Sequence, residues 1–267
     1  MPVTGAALTT ALAEGGATLP AGCVLVTLAE RSDVSERVER FGSSVWPDFM
    51  LSDVVSDRYW HRLAAHFPSY QLALLDSEGA VLAVARSAPL TWDGTPADLP
   101  RGWDRQVERS FDELERGIAP NTLGAIMIVT DPARRGDRVG GLMVRAMQAD
   151  ARLHGLRTLI ACVRPTLLEH YPLAPIAEYA RWTRDDGLPF DPWIRLHVRL
   201  GGRLERPEPR SMLVTGSVAE WEAWTGMAFP VTGQYVVPGA CAPVDIDRDA
   251  DVGTYNDPNI WIIHDLT

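Results

Sequence analysis

Lysine is absent from this chain of 267 residues, in which all 25 basic residues are arginine. This absence excludes mechanisms that need a lysine, such as a Schiff base or the phosphate-binding lysine of a P-loop. No run of about 18 apolar residues occurs, so we expect no membrane-spanning helix and no membrane partner. The first 20 residues lack a basic segment followed by a long apolar stretch, which makes a signal peptide a poor interpretation and a cytoplasmic location the default expectation.

Cysteine is scarce, and positive charge is outnumbered. The three cysteines are Cys23, Cys162 and Cys241. They are far apart and lack the spacing of a metal site, so reduced structural thiols and no metal are expected. The net charge of −10 argues against nucleic acid as a partner. The aspartate-rich stretch 245–253 does not complete a calcium loop, because Ala250 and Asn256 stand where that loop needs glycine and glutamate.

Apolar periodicity predicts an α/β fold in one domain. Strands are predicted at 23–29, 123–130, 156–163, 234–247 and 259–266, with a hairpin at 70–90. Helices are predicted at 33–50 with a break at Gly42, at 57–67, 104–118, 142–153 and 217–227, and from Asp191 onward. Residues 1–20 are expected to be an N-terminal extension, either loose or capping. Residues 21–267 then form a single domain with a proline- and aromatic-rich insertion at 164–190.

The segment TDPARRGDRVGG, residues 130–141, joins a predicted strand to a predicted helix. A helix N-terminus offers unpaired N–H groups and the positive end of the helix dipole. Glycines allow an anion to approach the backbone, and arginines add bidentate contacts to phosphate. A pyrophosphate cradle is one interpretation, and a tight turn with a solvated charge cluster is the other. The segment is neither a P-loop nor a GxGxxG fingerprint, and HExxH and GxSxG occur nowhere.

The same segment resembles the acyl-CoA-binding motif of the GNAT superfamily of N-acyltransferases, commonly written P-x-x-R-G-x-G-x-G. Pro132, Arg135, Gly136 and Gly140 match this motif in register, whereas Arg138 replaces its middle glycine. Further along, LHVRLG at 196–201 is similar to the family's L-Y-x-x-L-G-F phrase. There His197 replaces the tyrosine and Gly202 the phenylalanine.

The resemblance covers residues 21–163 and 191–265 and carries an expectation for the fold. It implies an α/β (α+β) architecture with a mixed, mostly antiparallel central sheet flanked by helices. The two central parallel strands of that sheet are expected to splay apart. The segment 164–190 and the helix at 217–227 are additions to the minimal fold.

The resemblance implies an enzyme that transfers an acyl group, with acetyl as the first choice, from acyl-CoA to an amine of a small-molecule acceptor. The amine attacks the thioester directly, and no metal takes part. Two alternatives stay open: a GNAT-like sensor that binds CoA or a metabolite without catalysis, and an unrelated α/β protein with a similar loop. The acceptor, the acyl length and the choice between monomer and homodimer also stay open.

The family's way of binding CoA indicates which residues contact it here. The pantetheine amides are expected to pair with the central strand around Ile128 and Thr130. The pyrophosphate is expected to meet backbone N–H groups of the loop and the first helical turn. These groups belong to Arg135, Gly136, Asp137, Arg138, Val139, Gly140 and Gly141.

Four side chains are candidates for proton transfer. His197 stands where the family often uses a tyrosine as general acid, and an imidazolium with a pKa of about 6.5 can donate a proton. A helical histidine satisfied by a carbonyl is the alternative. An alkyl amine must lose a proton before it attacks, and Glu169 and His170 are candidate bases because they follow the strand at 156–163, at the sheet edge where ligands bind. Tyr171, next to them, is a candidate to donate a proton or to line the wall of the substrate site. The alternative for Glu169, His170 and Tyr171 is a residue that lines this wall or faces solvent.

Overall fold

The computed structural model describes residues 3–134 and 138–267, and a nine-stranded sheet forms its centre. The strands are β1 Val24–Thr27, β2 Gln71–Leu75, β3 Val81–Leu90, β4 Thr122–Thr130, β5 Thr158–Val163, β6 Arg203–Gly216, β7 Gly233–Tyr235, β8 Val244–Asp247 and β9 Val252–Asp265. The α-helices are α1 Gly5–Glu14, α2 Ser35–Ser43, α3 Val54–Tyr59, α4 Leu63–His66, α5 Gly102–Glu115, α6 Val139–Leu153, α7 Ile176–Tyr179, α8 Pro192–Arg199 and α9 Val218–Thr225. Within these described ranges, none of the helices is both long enough and apolar enough to cross a membrane.

The strands are ordered β1-β2-β3-β4-β5-β9, and β6 pairs with the other side of β9. β9 is long enough to pair with two strands along the same edge. Its residues 260–265 pair with β5, and its residues 252–254 pair with β8. β4 and β5 are parallel, and the other neighbouring strands are antiparallel. The predicted mixed, mostly antiparallel sheet is confirmed.

Helices cover both faces of the sheet but build different cores. On one face, which we call the front, α2, α3, α4, α5 and α9 pack into a single cluster that includes Phe49, Phe111 and Trp221. On the back face there are two clusters. One lies under α1 and α6 and includes Leu8 and Met143. The other lies under α7 and α8 and includes residues of β5 and β9.

Several predicted helix starts are confirmed by their hydrogen bonds. Asp191 caps α8 by accepting from the backbone N–H groups of Trp193 and Ile194. Ser217 and Glu220 form the predicted capping box of α9. The segment predicted as an N-terminal extension contains α1, whose Leu8 and Leu12 are buried on the back face. β6 has no counterpart among the strands predicted from the sequence.

Candidate active site

β4 and β5 are paired only at their starts. The parallel ladder runs from Thr122 opposite Thr158 to Ala125 opposite Ala161. β4 continues to Thr130, and among the described residues no strand pairs with it on this side beyond Ala125. The predicted splay of the central parallel strands is therefore confirmed. The unpaired edge of β4 borders a gap between the two strands, which we call the central gap.

A β-bulge at Ile126 lies where β4 leaves β5. The register with β3 shifts here, so that Ala125 and Met127 lie opposite consecutive residues of β3. Two buried side chains of α5 hold the bulge from the front. Gln106 Nε2 donates to the carbonyl of Ala125, and Trp103 Nε1 donates to the carbonyl of Ile126, both at 2.9 Å. Because a bulge bends its strand, α5 fixes the direction in which the edge of β4 leaves β5.

On the back face, the central gap separates the two hydrophobic clusters. The side chain of Ala125 packs against both clusters and is still partly exposed. Ile128 and Thr130 are also partly exposed, whereas Met127 and Val129 are buried. The back side of the central gap is therefore open to a narrow, extended ligand along Ala125, Ile128 and Thr130. The prediction that pantetheine amides pair with Ile128 and Thr130 stays a prediction.

The loop before α6 is described only in part. Arg135, Gly136 and Asp137 lie outside the described residues, so their predicted contacts stay predictions. Arg138 is the N-cap of α6 and has a left-handed backbone with φ of 60°, a conformation that costs a residue with a Cβ about 1 kcal/mol. Val139 begins the helix and is buried.

Two glycines in the first turn of α6 allow α8 to approach closely. A Cβ added at Gly140 would lie 3.1 Å from the ring of Trp193, and one added at Gly141 would lie 3.2 Å from Leu196. Both contacts are tighter than ordinary van der Waals contact. The structure thus gives these glycines a packing role, while their predicted role in holding a pyrophosphate stays untested.

His197 lies in the interior between α8 and β9. Its side chain is 3% exposed, and its Nδ1 lies 3.0 Å from Nε2 of His264. Burial and the neighbouring His264 lower the pKa of His197 to about 3. The imidazole is therefore neutral near pH 7, which favours the alternative of a structural histidine, and the predicted role of His197 in proton transfer stays a prediction.

The other three proton-transfer candidates lie just after β5. Glu169 and His170 belong to a short 3-10 turn, and both are exposed. Tyr171 is 39% exposed, and its ring packs edge-on against Trp182 and Phe190. The aromatic residues of the insertion therefore pack together, with Tyr171 at the surface of this group. The catalytic roles of these residues stay predictions.

A chain of buried hydrogen bonds beside the end of β5 was not predicted from the sequence. Ser211 Oγ donates to Asn259 Oδ1, and Asn259 Nδ2 donates to Asp257 Oδ2, each at 2.7 Å. Cys162 Sγ lies 3.1 Å from Ser211 Oγ. Since the Ser211 hydrogen is directed to Asn259, the thiol is the donor in this contact. Burial raises the pKa of the Cys162 thiol, which keeps it protonated and unreactive.

The chain ends at the carboxylate of Asp257. That carboxylate accepts from Arg164 Nε at 2.9 Å and from the hydroxyl of Tyr255 at 2.5 Å. The sequence carries no clear signal for it, because residues 255–259 read YNDPN and show no alternation of polar and apolar residues.

Comparison with known proteins adds to this geometry. No protein-family model matches the chain. A curated relative, "Arginine N-acetyltransferase avaD" of Aspergillus versicolor, is 30% identical over 282 residues, which span 94% of this chain and 97% of that protein.

Two solved structures share the architecture at lower identity. The loading GNATL domain of CurA from Lyngbya majuscula superposes with a TM-score of 0.56 at 14% identity, over 91% of this chain and 98% of that one. The GphF GNAT-like decarboxylase in complex with isobutyryl-CoA gives a TM-score of 0.54 at 18% identity, over 88% and 96% of the two chains. At such identities the two structures support the fold alone.

Proposed function

The chain belongs to the GNAT superfamily of acyl-CoA-dependent N-acyltransferases, and we propose that it acetylates an amino acid with a cationic side chain, such as arginine. Acyl transfer from acyl-CoA to the amine of a small molecule follows from the family and from its relative named as an arginine N-acetyltransferase. The same relative favours an enzyme over a sensor without catalysis. The net charge of −10 supports a cationic acceptor, because a field of opposite sign attracts it.

The central gap is the observation on which the donor site depends. β4 has an unpaired edge after Ala125, and hydrogen-bonding groups on such an edge need partners. We place the pantetheine arm of acetyl-CoA along this edge, with its amides on the backbone at Ile128 and Thr130. The pyrophosphate then lies at the N-terminus of α6, against the N–H groups from Arg135 to Gly141. We place the thioester beside the bulge at Ile126, with the acceptor amine attacking it from the front of the sheet.

Proton transfer is assigned to groups that follow β5. Glu169 and His170 are the proposed bases, because both are exposed and can pass the amine's proton to water. With His197 neutral and buried, Tyr171 is the proposed donor to the departing thiolate. Three variants test these assignments: Glu169→Gln, His170→Gln and Tyr171→Phe. Loss of the base should lower kcat more strongly as the pH falls, because more of the acceptor amine is then protonated, and this pH dependence identifies which variant has lost the base.

The test is amine-dependent release of CoA from acetyl-CoA, followed with a thiol reagent. We expect release to rise with added arginine and to stay near the rate of spontaneous hydrolysis without it. Propionyl-, malonyl- and long-chain acyl-CoA, assayed alongside, define the acyl group. If acetyl-CoA raised the Tm but no cationic amino acid raised the release rate, the proposed acceptor would be refuted while the CoA site remained.

We also propose a cytoplasmic location. Cys23, Cys162 and Cys241 are free thiols, as is usual in reducing compartments. Imaging of a fluorescent fusion in the source cells checks this, and an extracellular signal would contradict it.

A further inference from the structure

Arg86 is a buried cation with unused hydrogen-bond donors. It lies on β3 and its side chain is 1% exposed. Its Nη2 donates to the carboxylate of Glu39 on α2, and its guanidinium carbon lies 4.7 Å from the centre of the Trp60 ring. Within the described residues, its Nε and Nη1 are buried and have no hydrogen-bond partner. Arg86 thus has three potential contact points for an anion, of which Glu39 occupies one.

Such a group needs a further partner. Buried guanidinium N–H groups are normally paired, because leaving them without an acceptor forfeits the hydration they have in water. Burial lowers the pKa of Arg86, and Glu39 only partly offsets this. An anion that reached Nε and Nη1 would satisfy both donors and strengthen the charged state.

The position of Arg86 points to the acceptor as that anion. Arg86 lies opposite Met127, the residue that follows the bulge at Ile126. It belongs to the front face, with Glu39 and Trp60, whereas the proposed path of CoA is on the back face. Glu39 is 44% exposed, so the pair extends from the interior of the front face to its surface, one strand away from the central gap.

We propose that Arg86 binds the carboxylate of the acceptor, which makes the substrate an amino acid and not an amine that lacks a carboxyl group. Nε and Nη1 donate to the carboxylate. The carboxylate of Glu39 already accepts from Trp60 Nε1 and Arg86 Nη2, and it contributes the negative charge near the acceptor's ammonium group. The charges then balance, because the Arg86–Glu39 pair and the zwitterion each sum to zero. This inference rests on the proposed acetyltransferase function.

Arginine and agmatine, which is arginine without its carboxyl group, test the inference on the unmodified protein. With saturating acetyl-CoA, we expect kcat/KM for arginine to exceed that for agmatine by about 10- to 100-fold, the range for a hydrogen-bonded charge pair. The difference is expected mainly in KM, because a carboxylate that takes no part in the reaction contributes to binding in the ground state and the transition state alike.

Variants at Arg86 identify the residue responsible. In Arg86→Gln the ratio of kcat/KM for arginine to that for agmatine should fall to near one. Arg86→Lys keeps the charge with fewer directed donors, should give an intermediate ratio, and serves if the glutamine variant does not fold. The matched control is Arg40→Gln, an exposed arginine on the same helix as Glu39, which should keep the unmodified ratio.

Three other outcomes count against the inference, and they are distinguishable. Equal kcat/KM for arginine and agmatine in the unmodified protein would leave the acetyltransferase function in place and refute the carboxylate site. Parallel loss of both activities in a folded Arg86 variant, with an unchanged ratio, would assign Arg86 a structural role only. If neither arginine nor agmatine increased the release of CoA, the proposed function itself would be refuted, and the inference with it.

Discussion

At the scale of single residues, two buried histidines form a hydrogen-bonded pair that has to stay uncharged. Gln148 Nε2 donates to Nδ1 of His264, so the proton of His264 is on Nε2, which lies 3.0 Å from Nδ1 of His197. Both imidazoles are therefore neutral in a defined tautomer. Burial lowers the pKa of His264 to about 4 and contributes most to the lowering at His197.

This pair predicts that stability falls in mild acid. In the unfolded chain a histidine has a pKa of about 6.5, so below this pH the two histidines bind protons in the unfolded state but not in the folded state. The free energy of unfolding therefore decreases as the pH falls from about 6.5 toward about 4. Between about pH 7 and pH 5, His264 alone should account for about 2 kcal/mol of that loss. Urea unfolding at both pH values measures it.

His264→Gln should lose about 2 kcal/mol less between these pH values than the unmodified protein, although it is less stable at neutral pH. His61→Gln, at an exposed histidine, is the control and should keep the original pH dependence. An unchanged pH dependence in His264→Gln would show that the pair is not neutral in the folded state.

At the scale of elements, α5 controls the shape of β4 through two hydrogen bonds to its bulge. Trp103→Phe removes the donor to the Ile126 carbonyl and leaves that carbonyl buried and unpaired, which should cost about 1–3 kcal/mol of stability. Because the free edge of β4 then changes direction, KM for acetyl-CoA should also rise severalfold. Steady-state kinetics and urea unfolding measure the two effects.

Trp92→Phe is the matched control for this substitution. Trp92 is also buried and donates through Nε1 to a backbone carbonyl, that of Thr95, at 2.8 Å, but it lies in the loop after β3. We expect a similar loss of stability and an unchanged KM for acetyl-CoA. Equal changes in KM for the two variants would mean that the bulge has no particular role in binding CoA.

The contact between α6 and α8 yields a prediction that distinguishes two roles of Gly140. Gly140→Ala should raise KM for acetyl-CoA, since the added Cβ pushes Trp193 and the start of α8 away from the first turn of α6. If packing is the cause, adding Trp193→Leu should restore KM, because the smaller side chain leaves room for the Cβ. If the glycine is needed for an anion to approach the backbone, the double variant stays impaired.

The elements differ in how far the sequence predicts them. α5, α6 and α9 follow from apolar periodicity and capping residues that lie within the helix itself. β6 contains Pro207, Pro209 and several charged residues, which argue against a strand. It forms because it pairs with β9 alone and because its register shifts between Glu208 and Met212, where proline is tolerated. That pairing joins segments about 50 residues apart, so no local pattern reports it.

The features around the candidate site also differ in how far the sequence predicts them. The unpaired edge at Ile128 and Thr130 and the loop before α6 lie in one β-α-β unit, where a local motif carries the resemblance to the family that implied the splayed strands. The contacts of these residues with CoA stay predictions. Arg86 and Glu39 are separated by 47 residues, and Cys162 and Ser211 by 49. The members of each pair meet only in the folded sheet, so the residue types alone gave no indication that they are in contact.

At the scale of the whole molecule, the front face of the sheet carries one continuous hydrophobic core, whereas the back face carries two separate hydrophobic clusters. The front cluster includes residues of β3, β4, β5 and β9, so it spans the central gap. Within the described part of the chain, Ala125 packs against both back clusters, and the helices that cover them touch where the first turn of α6 meets α8. The molecule can therefore keep an opening through the middle of its sheet while the front face supplies its cohesion.

Ala125 is the position at which that opening can be closed. Ala125→Leu places a larger side chain between the two back clusters, where it buries apolar surface, so stability should be unchanged or higher by about 1 kcal/mol. The same side chain occupies the proposed path of the pantetheine arm, and KM for acetyl-CoA should rise tenfold or more. The control, Ala177→Leu on the exposed side of α7, should change neither quantity. A folded Ala125→Leu protein with an unaltered KM would mean that CoA does not pass between β4 and β5, because a leucine at this point leaves no room for both.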